Sequence, residues 1–393
     1  MTQVAFIMRA HPRQEDACLV SGAVKSPFRL LRSLRERVHV VGVLVVDQTS
    51  RFVTHGYPVI GLRVRGLRLY PRTLVWNVLT FPLVVRLFAR AQIVQCHHPH
   101  FGLGAAVARR LLFPRVRLIV KAHGTAAPEL AANRYPGLKG RVLAMSAAAL
   151  RRHDRWVLQS ADRCLVSSVH QEREMVEVYG VGADRLRTIY NGVDAQHVRV
   201  RDRRGSDAVD APRFVFVGRV VPKKGHAQLF RLYEGVRAVH PGATLTLVLG
   251  HRDAVEDSRT HDLILEAARA LPGCRLLYDL DEPGLYDVLA HSDIGLVPSE
   301  GYESIPSVVL EMGAAGLPVF ATYRWGIPEV LPEDLGLTGD ADADVARISE
   351  FIQTRLGAWD SPAWAHRHER FHYDRLADRY CEVYAELLEP RGA

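Results

Sequence analysis

The sequence predicts an α/β protein that contains two parallel-sheet domains. Short apolar runs alternate with segments of helical periodicity in both halves of the chain, which is typical of parallel sheets covered by helices on both faces. The length of 393 residues and the hydrophobic fraction of 48% are sufficient for two ordinary domains, each with its own core. Between the halves lies the polar stretch 198–212, VRVRDRRGSDAVDAP, which predicts a linker.

The first half, residues 1–197, is predicted to form one domain. Its short apolar runs give strands, and its longer segments with apolar residues on one face give helices. The predicted strands are 4–8, 38–46, 93–96, 116–121 and 164–167, and the predicted helices lie near 24–36, 73–90, 103–111, 143–159 and 169–178.

The second half, residues 213–370, repeats this alternation. The predicted strands are 214–217, 245–249, 275–277, 294–297 and 319–321, and the predicted helices lie near 225–239, 257–270, 284–291, 306–315 and 342–356. The last segment, 373–388, has an apolar face at helical spacing and predicts a final helix.

The charge of the chain is distributed unevenly between the halves. Residues 1–200 contain 30 Lys and Arg against 12 Asp and Glu, whereas residues 201–393 contain 21 against 31. A basic half suits an acidic acceptor, an anionic lipid surface or nucleic acid. An Arg-rich proteome explains a preference for Arg over Lys but not this imbalance. The chain lacks helix-turn-helix, zinc and RNA-binding signatures, so we expect no nucleic acid partner.

An apolar segment within the basic half indicates a buried or interfacial helix. Residues 73–88, TLVWNVLTFPLVVRLF, follow four arginines and contain Asn77, Pro82 and Arg86. A span of this length and polarity is short for crossing a bilayer. We expect it to pack in the core or to lie on an anionic membrane surface.

Two features predict a cytoplasmic protein. The five cysteines show no CxxC pair and no metal-ligand spacing, and most lie beside apolar residues, as free thiols do in a reducing compartment. The N-terminal apolar run is broken at Arg9, which leaves it too short for a signal peptide.

The stretch 298–330 contains two carboxylates at a helix start. Glu303 precedes a predicted helix and Glu311 lies within it, while Pro306 suits its first turn. A buried strand comes just before this stretch. Ligands of open parallel sheets bind at the carboxyl ends of strands, where helix N-termini also favour anions.

A glycine- and cation-containing loop follows the strand 214–217. It has the pattern Gly-Arg-x-x-x-x-Lys-Gly, formed by Gly218, Arg219, Lys224 and Gly225. Glycines let the backbone approach a ligand closely, and the two cations suit phosphate groups. The strand-then-loop context predicts a phosphate-binding site.

These motifs together resemble the retaining glycosyltransferases of family four, which include bacterial mannosyl- and N-acetylglucosaminyltransferases. The matching segments, in family order, are KAHGT (121–125), IYNGVD (189–194), FVGRVVPKKG (216–225), PSEGYESIPSVVLEMGAAGLPV (298–319) and GIPEV (326–330). The resemblance implies the GT-B fold, two Rossmann-like domains with a cleft between them. It also implies that residues 371–393 form a helix that crosses back to the first domain.

The resemblance assigns roles to individual residues. Arg219 and Lys224 would grip the donor diphosphate, Glu303 would face the donor sugar, and His123 would contact that sugar. Glu311 would accept hydrogen bonds from the ribose hydroxyls. The remaining donor-binding positions would be Gly218, Ser304, Ile305, Pro306 and Gly22.

Some positions depart from the family pattern. The N-terminal loop has Ser21-Gly22-Ala23 where many members have a glycine pair, and Lys25 is a nearby cation. Ile305-Pro306 stands where an aromatic residue is usual, which leaves the donor sugar open. Tyr278 stands where a glycine is common, which leaves the base open.

Two further clusters could bind a metal, but neither favours one. His97, His98 and His100 have no carboxylate or thiol motif beside them, so contact with the acceptor or the cleft is the preferred interpretation. The Asp-x-Asp pattern 340–344 precedes a predicted helix, where acidic residues cap the N-terminus. We expect no metal site.

The sequence therefore predicts a metal-independent transferase that moves a sugar from a sugar nucleotide to an acceptor hydroxyl with retention. No cofactor is expected besides the sugar nucleotide, which is a co-substrate. The acceptor is a lipid-linked sugar, a polysaccharide or a small molecule, and the first case implies peripheral contact with the inner membrane face. A sugar-nucleotide epimerase of the same fold and a nucleotide-sugar-binding protein without turnover are the alternatives.

Overall fold

A computed structural model describes residues 1–11, 22–65, 69–123, 137–201, 210–250 and 258–389. The chain divides into two compact units. The first contains the N-terminal strand, Ala23–Asn191 and Tyr373–Ala393, and the second contains Gly192–His372. Each unit has its own parallel sheet, so the second unit is inserted before the last helix of the first.

The described residues of the first unit form one mainly parallel sheet. Its strands are β1 (Gln3–Met8), β2 (His39–Val45), β3 (Ser50–Thr54), β4 (Tyr57–Gly61), β5 (Ile93–His97), β6 (Arg117–Lys121), β7 (Arg163–Val166) and β8 (Leu186–Thr188). The spatial order is β3-β4-β2-β1-β5-β6-β7-β8. The chain runs from β1 to one side and then returns to β5 on the other, so the strand order reverses between β1 and β5.

The sheet edge formed by β3 and β4 was not predicted. The two strands pair antiparallel and are joined at His55 and Gly56, whose φ angles are 47° and 81°. Positive φ at both central residues is the geometry of a type I′ hairpin turn. His-Gly is not among the usual residue pairs for that turn, and the sequence therefore gave no clear turn signal here.

Helices cover both faces of this sheet. They are α1 (Gly22–Leu34), α2 (Leu69–Phe88), α3 (Leu103–Leu111), α4 (Gly137–Ser160) and α5 (Val169–Glu177). The core forms where alternate residues of the strands, such as Ile7, Val94 and Val120, pack against Trp76 and Phe88 of α2. Burial of these apolar side chains stabilises the unit.

The second unit is also a parallel sheet in its described residues. Its strands are β9 (Arg213–Arg219), β10 (Thr244–Gly250), β11 (Cys274–Tyr278), β12 (Ile294–Val297), β13 (Val319–Thr322) and β14 (Gly336–Leu337), in the order β11-β10-β9-β12-β13-β14. Its helices are α6 (His226–Val239), α7 (Ser258–Ala270), α8 (Glu282–Ala290), α9 (Ser307–Ala314), α10 (Ala341–Thr354) and α11 (Ser361–His368). The sequence predicted neither the two-residue strand β14 nor α11.

The strand order of the second unit reverses between β9 and β12. Along its whole length β9 pairs with β10, but it pairs with β12 only at Phe214 and Val215. The two strands therefore separate toward their carboxyl ends. A crevice at such a reversal is the usual ligand site of an open parallel sheet. The predicted fold class, two doubly wound α/β domains, is confirmed.

The C-terminal helix α12 (Tyr373–Leu388) packs on the first unit. Arg117 Nε donates to the carbonyl oxygen of Leu387 at 2.9 Å, and Arg37 Nε donates to Asp378 Oδ1 at 3.0 Å. Tyr384 hydroxyl donates to Gln95 Oε1 at 2.6 Å in the interior. Polar contacts at both ends and in the middle thus fix this helix along the sheet.

Helix α2 has one buried face and one exposed apolar face. Trp76, Thr80 and Val84 are buried, whereas Val78 is 64% exposed and Leu79 is 57% exposed. None of the helices in the described ranges combines the length and the hydropathy needed to span a bilayer. The inner face agrees with the core-packing interpretation of this segment.

Candidate functional site

The reversal point of the second sheet brings together the glycine- and cation-containing loop and the carboxylate stretch. Gly218 and Arg219 are the last two residues of β9, and they pair with Leu249 and Gly250 of β10. Arg219 is half-buried. No ion pair joins its guanidinium to another residue in the described part of the chain. Its charge therefore remains available to an anionic ligand in the crevice.

The loop after β9 depends on Gly225 at a close backbone approach. Gly225 has a φ of 70°, and a Cβ added there would lie 1.8 Å from the carbonyl oxygen of Pro298. Only glycine fits both conditions. On the other side, Glu300 N and Gly301 N each donate to the carbonyl oxygen of Lys223 at 3.0 Å. These backbone contacts fix the cationic loop against the stretch that carries Glu303.

Lys224 and Glu303 form an ion pair at the centre of this site. Lys224 Nζ lies 2.5 Å from Glu303 Oε1, and the two side chains are 15% and 17% exposed. A charge-assisted hydrogen bond with so little exposure holds both side chains in one geometry. The structure thus joins the two motifs that the sequence placed in separate segments.

Helix α9 begins at the carboxyl end of β12, one residue later than predicted. Pro306 is the N-cap residue with φ −62° and ψ 128°, and the helix starts at Ser307. Pro306 makes no side-chain cap, so the amides of the first turn have no side-chain oxygen from the cap residue. Ser304 and Ile305 are buried just before it. Such a helix start is suited to a phosphate or a sugar hydroxyl.

Glu311 lies in the second turn of α9 and is only 3% exposed. A buried carboxylate is stable only where hydrogen bonds or cations satisfy it. Its placement next to the crevice fits the ribose-binding role that the resemblance implies, and that role stays a prediction.

An aromatic pair beside Glu303 was missed in the sequence. The rings of Tyr302 and Trp325 are 5.8 Å apart in an edge-to-face arrangement. Trp325 has a φ of 58°, and a Cβ added to the following Gly326 would lie 1.8 Å from Ser304 O. The GIPEV segment therefore packs directly on the loop that carries the predicted donor-binding residues. The bulky side chain before a glycine in YRWG was the signal that could have pointed to it.

The reversal point of the first sheet carries the histidines. His97 ends β5 and His123 follows β6, so parallel strands place them side by side. Their rings are 5.2 Å apart and nearly parallel, and His97 Nδ1 lies 2.9 Å from His123 Nε2. His98, with a φ of 92°, places its ring 5.1 Å from that of His123. The structure thus groups His123 with the CHHPH cluster.

Burial keeps these histidines neutral. It lowers the pKa of His97 to about 3 and that of His100 to about 3, with a further contribution to each from nearby cations. The pKa values of His98 and His123 are also held well below the usual range, first by burial and then by neighbouring cationic groups. At neutral pH these rings therefore act as hydrogen-bonding groups rather than as cations.

Lys121, two residues before His123, is buried at the end of β6. Burial lowers the pKa of Lys121 to about 7. Its Nζ donates to the carbonyl oxygen of Ile189 at 2.7 Å and lies 5.4 Å from the centre of the Tyr380 ring. The lysine thus links β6, the IYNGVD segment and α12.

The remaining predicted positions have simpler places in the structure. Gly22 is the first residue of α1, and Lys25 is half-buried in the same helix, while residues 12–21 before it lie outside the described residues. Asp340 caps α10, and Asp344 accepts hydrogen bonds from Thr338 N and Gly339 N at 2.8 and 3.0 Å. The expected capping role is therefore observed at Asp340, while Asp344 holds the loop before the helix. Among the described residues, no group of three or more His, Cys, Asp or Glu is arranged to hold a metal ion.

Two family models match consecutive parts of this chain. The one described as Glycosyltransferase Family 4 matches residues 20–197, and the one described as Glycosyl transferases group 1 matches residues 211–354. A glycogen synthase of Mycobacterium tuberculosis is 29% identical over 227 residues, which cover 57% of this chain and 52% of the relative. The chain thus spans about half the length of the curated relatives it matches.

Solved structures match nearly the whole chain. Sucrose-phosphate synthase from Thermosynechococcus elongatus has a TM-score of 0.77 at 17% identity, covering 98% of this chain and 99% of that chain. HepE of Anabaena in complex with UDP and glucose has a TM-score of 0.69 at 15% identity, covering 98% and 100%. At these identities the likeness shows the shared fold.

Proposed function

We propose a reaction for this chain from the premise that it belongs to glycosyltransferase family four and has the GT-B fold. The chain transfers a sugar from a sugar nucleotide to an acceptor hydroxyl. The observation that carries this proposal is the Lys224–Glu303 pair, which lies at the crevice of the second sheet beside Arg219. That is the point at which an open parallel sheet binds a nucleotide.

The charges of this crevice suit a departing diphosphate. Negative charge grows on the leaving group as the bond to the sugar breaks, and fixed cations and helix-start amides stabilise it there. Arg219 and Lys224 supply the cations, and the first turn of α9 supplies the amides. Glu311 then holds the ribose, and Glu303 faces the transferred sugar. HepE, which shares the fold, is a structure with UDP and glucose bound.

We further propose that transfer proceeds with retention and without a metal ion. Arg219 and Lys224 provide the positive charge that a divalent ion supplies to other glycosyltransferases. His123 is neutral, and its Nε2 faces His97. It is therefore unsuited to attack the sugar. In the proposed step the acceptor hydroxyl oxygen bonds to the anomeric carbon on the face from which the diphosphate leaves, the bond from that carbon to the phosphate oxygen breaks, and the hydroxyl proton passes to the departing phosphate.

The acceptor belongs to the basic first unit in this proposal. Residues 51–150 contain 15 Lys and Arg and a single acidic residue, Glu129. Such a surface suits an acceptor that carries negative charge or lies in an anionic leaflet. A lipid-linked sugar, a polysaccharide and a small molecule all remain within this proposal. We place the protein in the cytoplasm, on the inner membrane face where the acceptor is lipid-linked.

A panel of sugar nucleotides tests the reaction. A ligand that binds the folded state raises the unfolding temperature, so the true donor gives the largest shift. Incubation of that donor with acceptor candidates should yield a glycoside that keeps the anomeric configuration of the donor in NMR spectra. Activity should persist in EDTA. An inverted product, or activity that EDTA abolishes and manganese restores, would contradict the proposed mechanism, and an epimerised donor without transfer would indicate an epimerase.

A further inference from the structure

A row of hydrogen bonds connects the C-terminal helix to His123 through the interior of the first unit. Tyr384 hydroxyl donates to Gln95 Oε1 at 2.6 Å. Gln95 Nε2 lies 2.9 Å from His97 Nε2, and His97 Nδ1 lies 2.9 Å from His123 Nε2. Tyr384, Gln95 and His97 are at most 1% exposed, so water does not compete for these bonds.

The orientation of the Gln95 amide, whose Oε1 faces Tyr384 and whose Nε2 faces His97, sets the direction of every bond in the row. An amide nitrogen only donates, so Gln95 Nε2 donates and His97 Nε2 accepts. A neutral imidazole carries one proton, which in His97 must then be on Nδ1. His97 Nδ1–H therefore donates to His123 Nε2, and the single proton of a neutral His123 must lie on Nδ1. The position of one proton is thus set by a tyrosine on a distant helix.

Packing holds the row in this geometry. The ring of Phe6 stacks on that of His97 at 6.2 Å, with an interplanar angle of 29°. The side chain of Asn191 bonds to His123, and Asn191 Oδ1 also accepts from Ser167 Oγ at 3.2 Å. Neither histidine can change its protonated nitrogen without breaking a bond inside the core. A preorganised polar group of this kind presents the same face to every ligand.

We propose that Tyr384 is a positioning residue for the transferase, which acts through Gln95 and His97 to fix His123 as an Nδ1–H hydrogen-bond donor. The inference rests on the proposed function, in which His123 contacts the transferred sugar. It specifies the chemistry of that contact: Nε2 accepts from His97 and Nδ1–H faces the Asn191 side chain, so the ring offers no lone pair to act as a base.

The protonated nitrogen of His123 can be observed directly. Protein labelled with ¹⁵N-histidine should show His123 as the Nδ1–H form, with the signal assigned by comparison with His123→Gln. Removal of the hydroxyl in Tyr384→Phe frees the Gln95 amide to turn over, so His97 and His123 should become mixtures of both forms. Tyr380→Phe removes a hydroxyl from the same helix one turn earlier, outside the row, and should leave His123 unchanged. An Nε2–H form in the wild type would overturn the proposal, as would an unchanged His123 in Tyr384→Phe.

A double-mutant cycle measures the consequence for turnover. Tyr384→Phe and Gln95→Leu should each lower kcat by about three- to tenfold, the range of one hydrogen bond, and the double variant should lose no more than either alone. Affinity for the donor's nucleoside diphosphate should stay the same, because that product lacks the transferred sugar. Additive losses, or weaker binding of the nucleoside diphosphate in Tyr384→Phe, would indicate a merely structural residue and would overturn the proposal.

The two proposals fail in distinguishable ways. The NMR experiment needs no turnover, so it decides the proton position of His123 even where no sugar nucleotide supports transfer. Absence of transfer with a fixed Nδ1–H form would reject the proposed function and with it the role of Tyr384 in turnover. Transfer with a mixed form in the wild type would reject only the inference about Tyr384.

Discussion

Lys224 and Glu303 stand 79 residues apart in the sequence, and Lys224 Nζ meets Glu303 Oε1 at 2.5 Å. The pair neutralises a cation that a diphosphate would otherwise bind. In the proposed function, a donor must therefore share or displace the carboxylate when it reaches Lys224. Loss of Lys224 should weaken binding of the donor, whereas loss of the Glu303 charge should strengthen binding of its diphosphate. The roles of the two residues can therefore be distinguished by experiment.

Removal of the lysine should weaken transfer strongly. Loss of a charge-assisted hydrogen bond in a partly buried site costs about 1.5–3 kcal/mol, or about ten- to a hundredfold in rate. We expect Lys224→Ala, and likewise Arg219→Ala, to lower kcat/KM for the sugar nucleotide at least tenfold. Lys223→Ala is the matched control, because it removes the adjacent cation and keeps the backbone carbonyl that binds Glu300 and Gly301. Activity close to wild type in both site variants would rule out this diphosphate site.

Removal of the carboxylate charge should have the opposite effect on binding. Glu303→Gln leaves Lys224 without its counter-ion, so the lysine attracts phosphate more strongly. We expect tighter binding of the donor's nucleoside diphosphate in calorimetry together with slower transfer, since the group that faces the sugar is altered. The gain should shrink at high salt because screening weakens the attraction. Weaker binding of the nucleoside diphosphate in this variant would show that Glu303 itself binds the nucleotide.

The ribose assignment of Glu311 makes a separate prediction. Glu311→Gln removes the charge and keeps the shape, so helix α9 should remain folded. Affinity for the donor's nucleoside diphosphate should fall about tenfold, the effect of a charge-assisted bond reduced to a neutral one. Glu300→Gln serves as the control, because Glu300 is an exposed carboxylate in the neighbouring loop. Unchanged affinity for the nucleoside diphosphate in Glu311→Gln would show that the ribose binds elsewhere.

Acid should destabilise the first unit through its buried histidines. The folded pKa of His97 is about 3, below the usual value near 6.5, so only the unfolded chain takes up this proton between those values. The free energy of unfolding therefore falls as pH drops below about 6.5, by at most about 1.4 kcal/mol per pH unit for each such histidine. His97→Gln should reduce the slope of urea stability between pH 7 and pH 5. His39 is exposed, so His39→Gln should leave this slope unchanged. An identical slope in the wild type and in both variants would contradict the neutral state of His97.

The exposed face of α2 predicts membrane contact where the acceptor is lipid-linked. Each cation near an anionic leaflet contributes about 1 kcal/mol, and salt screens this attraction. The protein should sediment with vesicles of phosphatidylserine at low salt and dissociate at high salt. Val78→Asp on α2 should weaken sedimentation, whereas Leu263→Asp on the second unit should not; the two side chains are 64% and 58% exposed. Replacement of the exposed Arg63 and Arg65 by Gln should also weaken it, without an effect on nucleotide affinity.

Absence of sedimentation at low salt would remove the membrane hypothesis and favour a water-soluble acceptor. Arg68, another of the four arginines before the apolar segment, lies outside the described residues.

Local patterns predicted most of the sheet because each strand carries its own apolar run. The run IGLV, for example, became β12 with the predicted bounds Ile294–Val297. Elements without such a run were missed: β14 has two residues, and the hairpin at His55-Gly56 has an unusual turn. A short strand is defined by the neighbour with which it pairs, and no pattern in its own residues shows that neighbour.

The candidate site likewise contains residues that could be predicted from the sequence and residues that could not. Motif residues such as Arg219 and Glu311 could be named from the sequence, because the motif includes the turn that positions them. Side-chain partners could not be named in this way. Tyr384 and Gln95 are 289 residues apart, and only the packing of α12 on β5 brings them into contact. The hydrogen-bond row that sets the His123 proton is therefore a property of tertiary structure alone.

The packing of α12 on the first unit also determines when that unit can finish folding. Both sheets are complete before the last helix is made: the strands of the second unit all lie between Gly192 and His372, whereas the first unit needs Tyr373–Leu388 to complete its interior. During synthesis the first unit is the first to emerge, but it is completed only after the second unit. Until helix α12 has been made, Gln95 and Arg117 have no partners on it. A lesion near the C-terminus of this chain thus damages the unit that was made earliest, and leaves intact the one made just before it.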